Sequence, residues 1–225
     1  MNGSNAMQQI EVIIPTAGVS LAGNLIVPEA AEGIVLFVHG SGSSRFSPRN
    51  RFVAGLLNEA GFATLLFDLL TIYEHQLDQQ TRQLRFDINM LTQRLSGTID
   101  WVCKKDTTSG LRIGLFGAST GAAAALVTAA EKPDMVFAVV SRGGRPDLAG
   151  NSLSKVKAPT LLIVGANDPQ VLELNRTASQ SLGGEFRLEI IPGASHLFEE
   201  PGTLEEATSF AREWFKQYLS EALLA

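Results

Sequence analysis

Cysteine is nearly absent from this chain: Cys103 is the only one in 225 residues. An internal disulfide framework is therefore excluded, and a reducing compartment, the cytoplasm, is expected. Three histidines (His39, His75 and His196) and one cysteine are too few and too scattered for a structural zinc site. Basic runs are missing as well. Lys and Arg number 18 against 23 Asp and Glu, a net charge of −5, so no nucleic-acid footprint is expected. The longest apolar stretches, such as 34–38 and 122–127, fall far below the roughly 18 residues that span a bilayer. No charged leader followed by an apolar segment opens the chain, so no signal peptide is expected. Residues 1–6, with Ser4-Asn5-Ala6 ahead of Met7, read as a remnant of expression rather than part of the fold. Repeats of 20–50 residues and low-complexity tracts are also lacking. What is present is a 45% hydrophobic, 18% charged sequence, long enough for one well-buried domain over 7–225.

Short apolar runs alternate with longer helical patterns. Residues 10–14 and 24–27, separated by Thr16-Ala17-Gly18, read as an antiparallel pair. The run 34–38 is apolar throughout, as in a strand covered by helices on both faces, and 63–67, 113–116, 136–140, 160–164 and 186–191 repeat that signature. Ser47 and Pro48 form a helix start, with Phe52, Val53, Leu56 and Leu57 as its apolar stripe. Leu84, Ile88, Leu91, Leu95, Ile99 and Val102 step at helical spacing. Residues 121–130 predict a small-residue helix packed centrally, and Leu204, Ala207, Phe210, Ala211, Trp214, Phe215 and Tyr218 give the last helix one buried face. This alternation predicts an α/β fold with a mostly parallel sheet and helices on both faces. Catalytic side chains then belong just past the C-terminal ends of the strands.

Directly after 113–116 stands Gly117-Ala118-Ser119-Thr120-Gly121, a G-x-S-x-G between a strand and a helix. Such a turn presents the serine hydroxyl in a strained backbone conformation, and side chains at 117 and 121 would strike neighbouring backbone. The competing reading is that Ser119 merely caps the helix. A serine nucleophile needs a base oriented by a third group. The strand 160–164 leads into Asp168, and 186–191 leads into His196, so both follow strand ends in the order Ser, Asp, His. Asp168 as a simple cap for a helix starting at Pro169, and His196 as an ordinary loop histidine, are the alternatives. After 34–38 comes His39-Gly40-Ser41-Gly42, whose glycines let backbone amides approach a carbonyl oxygen. The Ser41 and Thr120 N–H groups are the expected oxyanion donors, and His39 is expected to hold the loop by a side-chain hydrogen bond. Neither G-x-x-x-x-G-K-[ST] nor G-x-G-x-x-G occurs, so a nucleotide site is not expected.

On His39-Gly40-Ser41-Gly42, Gly117-Ala118-Ser119-Thr120-Gly121, Asp168 and His196, the chain resembles the α/β-hydrolase superfamily, and within it the dienelactone hydrolase-like enzymes. The resemblance runs from about Ile10 to the last helix. It implies cofactor-free acyl transfer to water by a Ser-His-Asp triad. Founding members of that family use a cysteine nucleophile. Here Ser119 stands in its place and Cys103 lies in an apolar helix, which points to small carboxylic esters or lactones in general. The same triad also suits thioester, peptide or phosphoester substrates, and a non-catalytic ligand-binding relative is the reading from another class. The connection from Ser141 to Ala158 is too short for a helical lid, so an open site is expected. Phe46, Leu70, Ile72, Tyr73, Arg142 and Phe198 are the expected substrate-binding walls, Arg142 either pairing locally or meeting an anionic group. Residues 69–81 read as either a flap or a peripheral helix. A small-molecule ester is the expected partner, with no membrane, and exposed apolar residues leave a homodimer open.

Overall fold

Strand β3 (Gly33–Val38) is buried along its whole length, and its two faces feed different cores. In the computed structural model, which describes residues 8–224, Ile34, Leu36 and Val38 pack into one apolar layer, whereas Val35 and Phe37 pack into the other. That division follows from the two-residue period of a strand and fixes the three-layer architecture. Residues 1–6 lie outside the described residues.

The sheet has eight strands in the order β1-β2-β4-β3-β5-β6-β7-β8. Strands β1 (Gln9–Thr16) and β2 (Val19–Ile26) pair antiparallel, and β2 meets β4 (Ala63–Phe67) antiparallel. From β4 onward the pairing is parallel through β3, β5 (Arg112–Ala118), β6 (Val136–Arg142), β7 (Thr160–Gly165) and β8 (Phe186–Ile191). On one face lie α3 (Ile88–Lys104), through Leu91, Leu95, Ile99 and Val102, and α4 (Thr120–Glu131), through Ala124, Ala125 and Leu126. On the other lie α1 (Pro48–Glu59), through Val53, Ala54 and Leu57, and α6 (Thr203–Leu224), through Ala211, Trp214, Phe215 and Tyr218.

Three expectations need correction. Strand β8 is not a doubly covered strand: it has one neighbour, and Phe186 and Ile190 are exposed at the sheet edge. Phe52 is exposed on α1, because Asn50 and Asn58 share the buried face with Val53, Ala54 and Leu57. Leu84 precedes α3 in a short 3-10 turn, Leu84–Phe86. Residues 72–81 form the helix α2 (Ile72–Thr81). A capping box between Thr71 and Glu74 starts it, and Glu74 also pairs with the buried Arg94 of α3 at 2.8 Å. Between β6 and β7 lies only a kinked 3-10 stretch, Pro146–Lys155, and α5 (Pro169–Ser179) follows β7, so among the described residues no large lid covers the strand ends.

Phe215 is fully buried between Phe62 and Phe137, with centroids 6.1 and 6.0 Å away, and joins α6 to the sheet. Phe215→Ala should lower the unfolding free energy by about 3–5 kcal/mol, read from the shift in the urea midpoint.

Candidate active site

The β5–α4 junction is built on close backbone contact. A Cβ at Gly121 would lie 2.1 Å from the Val38 carbonyl oxygen, and one at Gly117 would lie 2.4 Å from the Ala122 Cα. With both side chains excluded, the chain turns at Ser119 with φ 50° and ψ −124°, a conformation that costs a non-glycine residue roughly 1–3 kcal/mol. The turn is held from the neighbouring strand: the Ser119 N–H donates to the Arg142 carbonyl (3.3 Å), and the Arg145 N–H donates to the Ser119 carbonyl (3.0 Å).

Ser119 is the N-cap of α4, and Asp168 is the N-cap of α5, yet neither side chain caps its helix. By contrast, Ser47 caps α1 by accepting from the Asn50 N–H. The Asp168 carboxylate instead accepts from His196 Nδ1 at 2.6 Å, which discriminates against simple capping. The loops carrying these two residues are bound together. Ala166 N–H donates to the Ile191 carbonyl, Asn167 N–H to the Ala194 carbonyl and Asn167 Nδ2 to the Gly193 carbonyl, each at 2.9 Å. The Ser195 N–H donates to Glu200 at 3.0 Å, which holds that carboxyl below its usual range and fixes the turn beside His196.

Ser119, Asp168 and His196 all line one groove of about 350 Å³, with Phe86, Arg145, Val171 and Leu174 as further walls. Ser119 and His196 also line a second cleft of about 240 Å³ on the α1 side. Ser119 thus sits between two cavities. Among the described residues Ser119 Oγ forms no hydrogen bond, so its link to the imidazole is open. Catalytic hydrogen bonds are often long or poorly aligned until a substrate is bound.

The oxyanion loop departs from expectation at one atom. The Thr120 N–H heads α4 and has no helix partner, but the Ser41 N–H donates to Thr120 Oγ1 at 3.0 Å. The two hydroxyls also meet, Ser41 Oγ to Thr120 Oγ1, at 2.9 Å. Ser41 is therefore not a free donor here, because the threonine hydroxyl competes for its amide. His39 holds the loop as anticipated. Its Nε2 accepts from the Leu69 N–H (3.0 Å), so Nδ1 carries the proton and donates to the Gly40 carbonyl (3.0 Å). Burial pushes the His39 pKa below 6.5, against the opposing pull of the Gly40 carbonyl and the Asp68 charge. Asp68 also accepts from the Arg45 N–H at 2.8 Å and pairs with its guanidinium.

Of the six expected wall residues, only Arg142 lines the cleft beside Ser119. Phe46 is exposed and lies against the Arg45 guanidinium, 4.1 Å from the ring centroid. Leu70 is buried behind the oxyanion loop with His39 and Leu91. Ile72 and Tyr73 are exposed on the first turn of α2, away from both cavities. Phe198 is buried beneath the Arg142 guanidinium and forms floor rather than wall. Sequence reasoning missed Ser43, Ser47, Arg49 and Asn50, which line the α1-side cleft, and Phe86, Val171 and Leu174 opposite. The Ser47-Pro48 helix start was a usable signal for the first group, since a helix following a strand begins at the sheet's C-terminal edge. Among the described residues no three His, Cys, Asp or Glu side chains are grouped to hold a metal ion, and no helix is long and apolar enough to cross a membrane.

Comparison with known proteins agrees with this architecture. The model of the dienelactone hydrolase family matches residues 21–222. A solved dienelactone hydrolase from Anabaena variabilis is 57% identical, with a TM-score of 0.93 over 94% of this chain and 98% of that one. Est1E from Butyrivibrio proteoclasticus shares the fold at 18% identity, with a TM-score of 0.78 over 93% of this chain and 99% of its own. A Mycobacterium tuberculosis protein named "Putative phosphoribosyl transferase" is 55% identical over 209 residues, 93% of this chain. That match spans 46% of the relative, so the chain covers about half the length of the curated relatives it matches.

Because His39 is neutral in the fold, the unfolded chain takes up its proton first as pH falls below about 6.5. Its contribution to stability is present above that pH and lost beneath it. Replacing it by glutamine (His39→Gln) should flatten the fall in Tm between about pH 7.5 and 5.5, measured by calorimetry against the parent.

Proposed function

The chain belongs to the dienelactone hydrolase family, and on that premise we propose that it is a serine hydrolase of small carboxylic esters or lactones. The observation that carries this reading is the 2.6 Å contact from His196 Nδ1 to an Asp168 carboxylate withheld from its own helix. That contact fixes the imidazole tautomer and leaves Nε2 as the base. Ser119 then attacks the ester carbonyl while His196 takes the hydroxyl proton. The tetrahedral oxyanion forms against the Thr120 N–H at the positive end of α4, and the Ser41 N–H joins it once the Thr120 hydroxyl turns aside. His196 returns the proton to the leaving alcohol, and a water activated by the same imidazole releases the acid from the acyl-enzyme.

The transferase name of the mycobacterial relatives belongs to proteins about twice as long, and the hydrolase reading concerns the segment shared with them. Thioesters and peptides present the same acyl centre, so substrate identity rests on the two cavities rather than on the triad.

A panel of p-nitrophenyl esters of increasing acyl length tests the reading. The parent should hydrolyse the short members and be labelled by a fluorophosphonate probe. Ser119→Ala should lose labelling and drop kcat by about a million-fold. Asp168→Asn should keep the fold but lose about ten-thousand-fold in kcat through the wrong imidazole tautomer. Unlabelled parent protein, or a Ser119→Ala loss below about tenfold, would refute the assignment.

A further inference from the structure

The cleft on the α1 side of Ser119 contains a buried cation with no carboxylate against it among the described residues. Arg142 closes β6, is 8% exposed, and sits between the rings of Phe116 and Phe198, whose centroids are 5.9 and 5.7 Å from its guanidinium carbon. Nη2 donates to Asn50 Oδ1 at 3.3 Å, while Nε and Nη1, both enclosed away from solvent, find no acceptor among the described residues. Burial, reinforced by the Arg49 cation, pushes its pKa down to about 10, so it stays charged at neutral pH. An isolated buried charge is costly, and aromatic faces return only part of that cost.

The wall facing Arg142 is rich in donors. Helix α1 begins there: Pro48 has no N–H, Ser47 satisfies the Asn50 amide, and the Arg49 amide has no helix partner. The hydroxyls of Ser43 and Ser47 and the Arg49 guanidinium line the same cleft. The acid nearby is Glu199, which meets Arg49 at 3.2 Å and is itself largely exposed.

We propose that this side of the cleft is a subsite for a phosphate group carried by the substrate, set apart from the acyl carbon that Ser119 attacks. This rests on the hydrolase reading of Ser119 and names the substrate class: an ester or lactone that is also a phosphate monoester. A carboxylate brings two oxygens and one charge. A phosphate monoester brings three oxygens and close to two charges, which suits two guanidiniums, two hydroxyls and a free amide at a helix start. The Arg142 guanidinium, lining the cleft with no carboxylate against it among the described residues, is the decisive feature, and the helix end only adds to it.

Two measurements on the full chain test the subsite. In the first, inorganic phosphate is titrated by calorimetry and thermal melting at constant ionic strength, with sodium chloride and acetate as controls. Phosphate should bind the parent and raise its Tm, and Arg142→Gln should weaken that binding about tenfold or more. Arg49→Gln, at a half-exposed position, provides a second variant should Arg142→Gln fail to fold, and it should weaken binding as well. In the second, aryl esters with a neutral, a carboxylate-ended and a phosphate-ended acyl chain are compared. The phosphate-ended ester should lead in kcat/KM, and Arg142→Gln should cut its advantage over the neutral ester about tenfold or more. No phosphate binding in the parent, equal binding in both variants, or a preference for the carboxylate over the phosphate would overturn the proposal. Phosphate binding without any ester cleavage or fluorophosphonate labelling would remove the hydrolase reading and leave the subsite standing. Cleavage of neutral esters with no response to phosphate would do the reverse.

Discussion

The site depends on the near-contact between the end of β3 and the first turn of α4. The Val38 and His39 carbonyl oxygens stand where a side chain at Gly121 would begin, 2.1 and 2.6 Å from its Cβ position. This crowding seats the helix start directly behind Ser119 and places Thr120 within hydrogen-bond distance of Ser41. The same closeness recurs at the other loops. Gly165 lies so near the Ala194 carbonyl that a Cβ would approach it to 2.2 Å, which draws the Asp168 and His196 loops together. Convergence at the sheet's rim is thus enforced by backbone packing, and the side chains follow.

Stability is given up locally to achieve this. Two helices forgo their side-chain caps, each typically worth about 1 kcal/mol, and Ser119 adds backbone strain. The two apolar layers supply the compensation. Phe37 and Phe116, 5.0 Å apart on adjacent strands, lie just beneath the β3 and β5 loops and are almost wholly buried. A rigid floor lets the strained turn persist instead of relaxing.

The central strands were readable from sequence because doubly covered strands are apolar almost throughout, as 34–38 is and as 63–67 is apart from Thr64. Strand β8 broke that rule: Phe186 and Ile190 lie at an edge, and Arg187 and Glu189 in the same run already mark a strand that is not apolar throughout. The placement of Ser119, Asp168 and His196 past strand ends was equally legible, because it depends only on chain order and backbone. Walls depend on side-chain direction, which sequence does not carry. Ile72 and Tyr73 follow a strand end closely, yet the helix starting at Thr71 leaves both facing solvent. The Ser41 amide differs for a related reason: in this conformation a neighbouring hydroxyl takes the donor that the backbone alone leaves free. For Arg142 the sequence left local pairing and an anionic ligand open, and the surroundings show no carboxylate against it among the described residues.

The short Pro146–Lys155 stretch has a kinetic meaning. Among the described residues nothing is hinged above the strand ends, so a hydrolase built on this frame would need no gating motion before capture or after release. On the proposed hydrolase reading, the electrostatic work that a closing cover performs elsewhere by expelling water would fall to fixed dipoles and buried charge. On such a frame the choice among substrates can shift by altering side chains in the rim loops while the sheet beneath remains untouched.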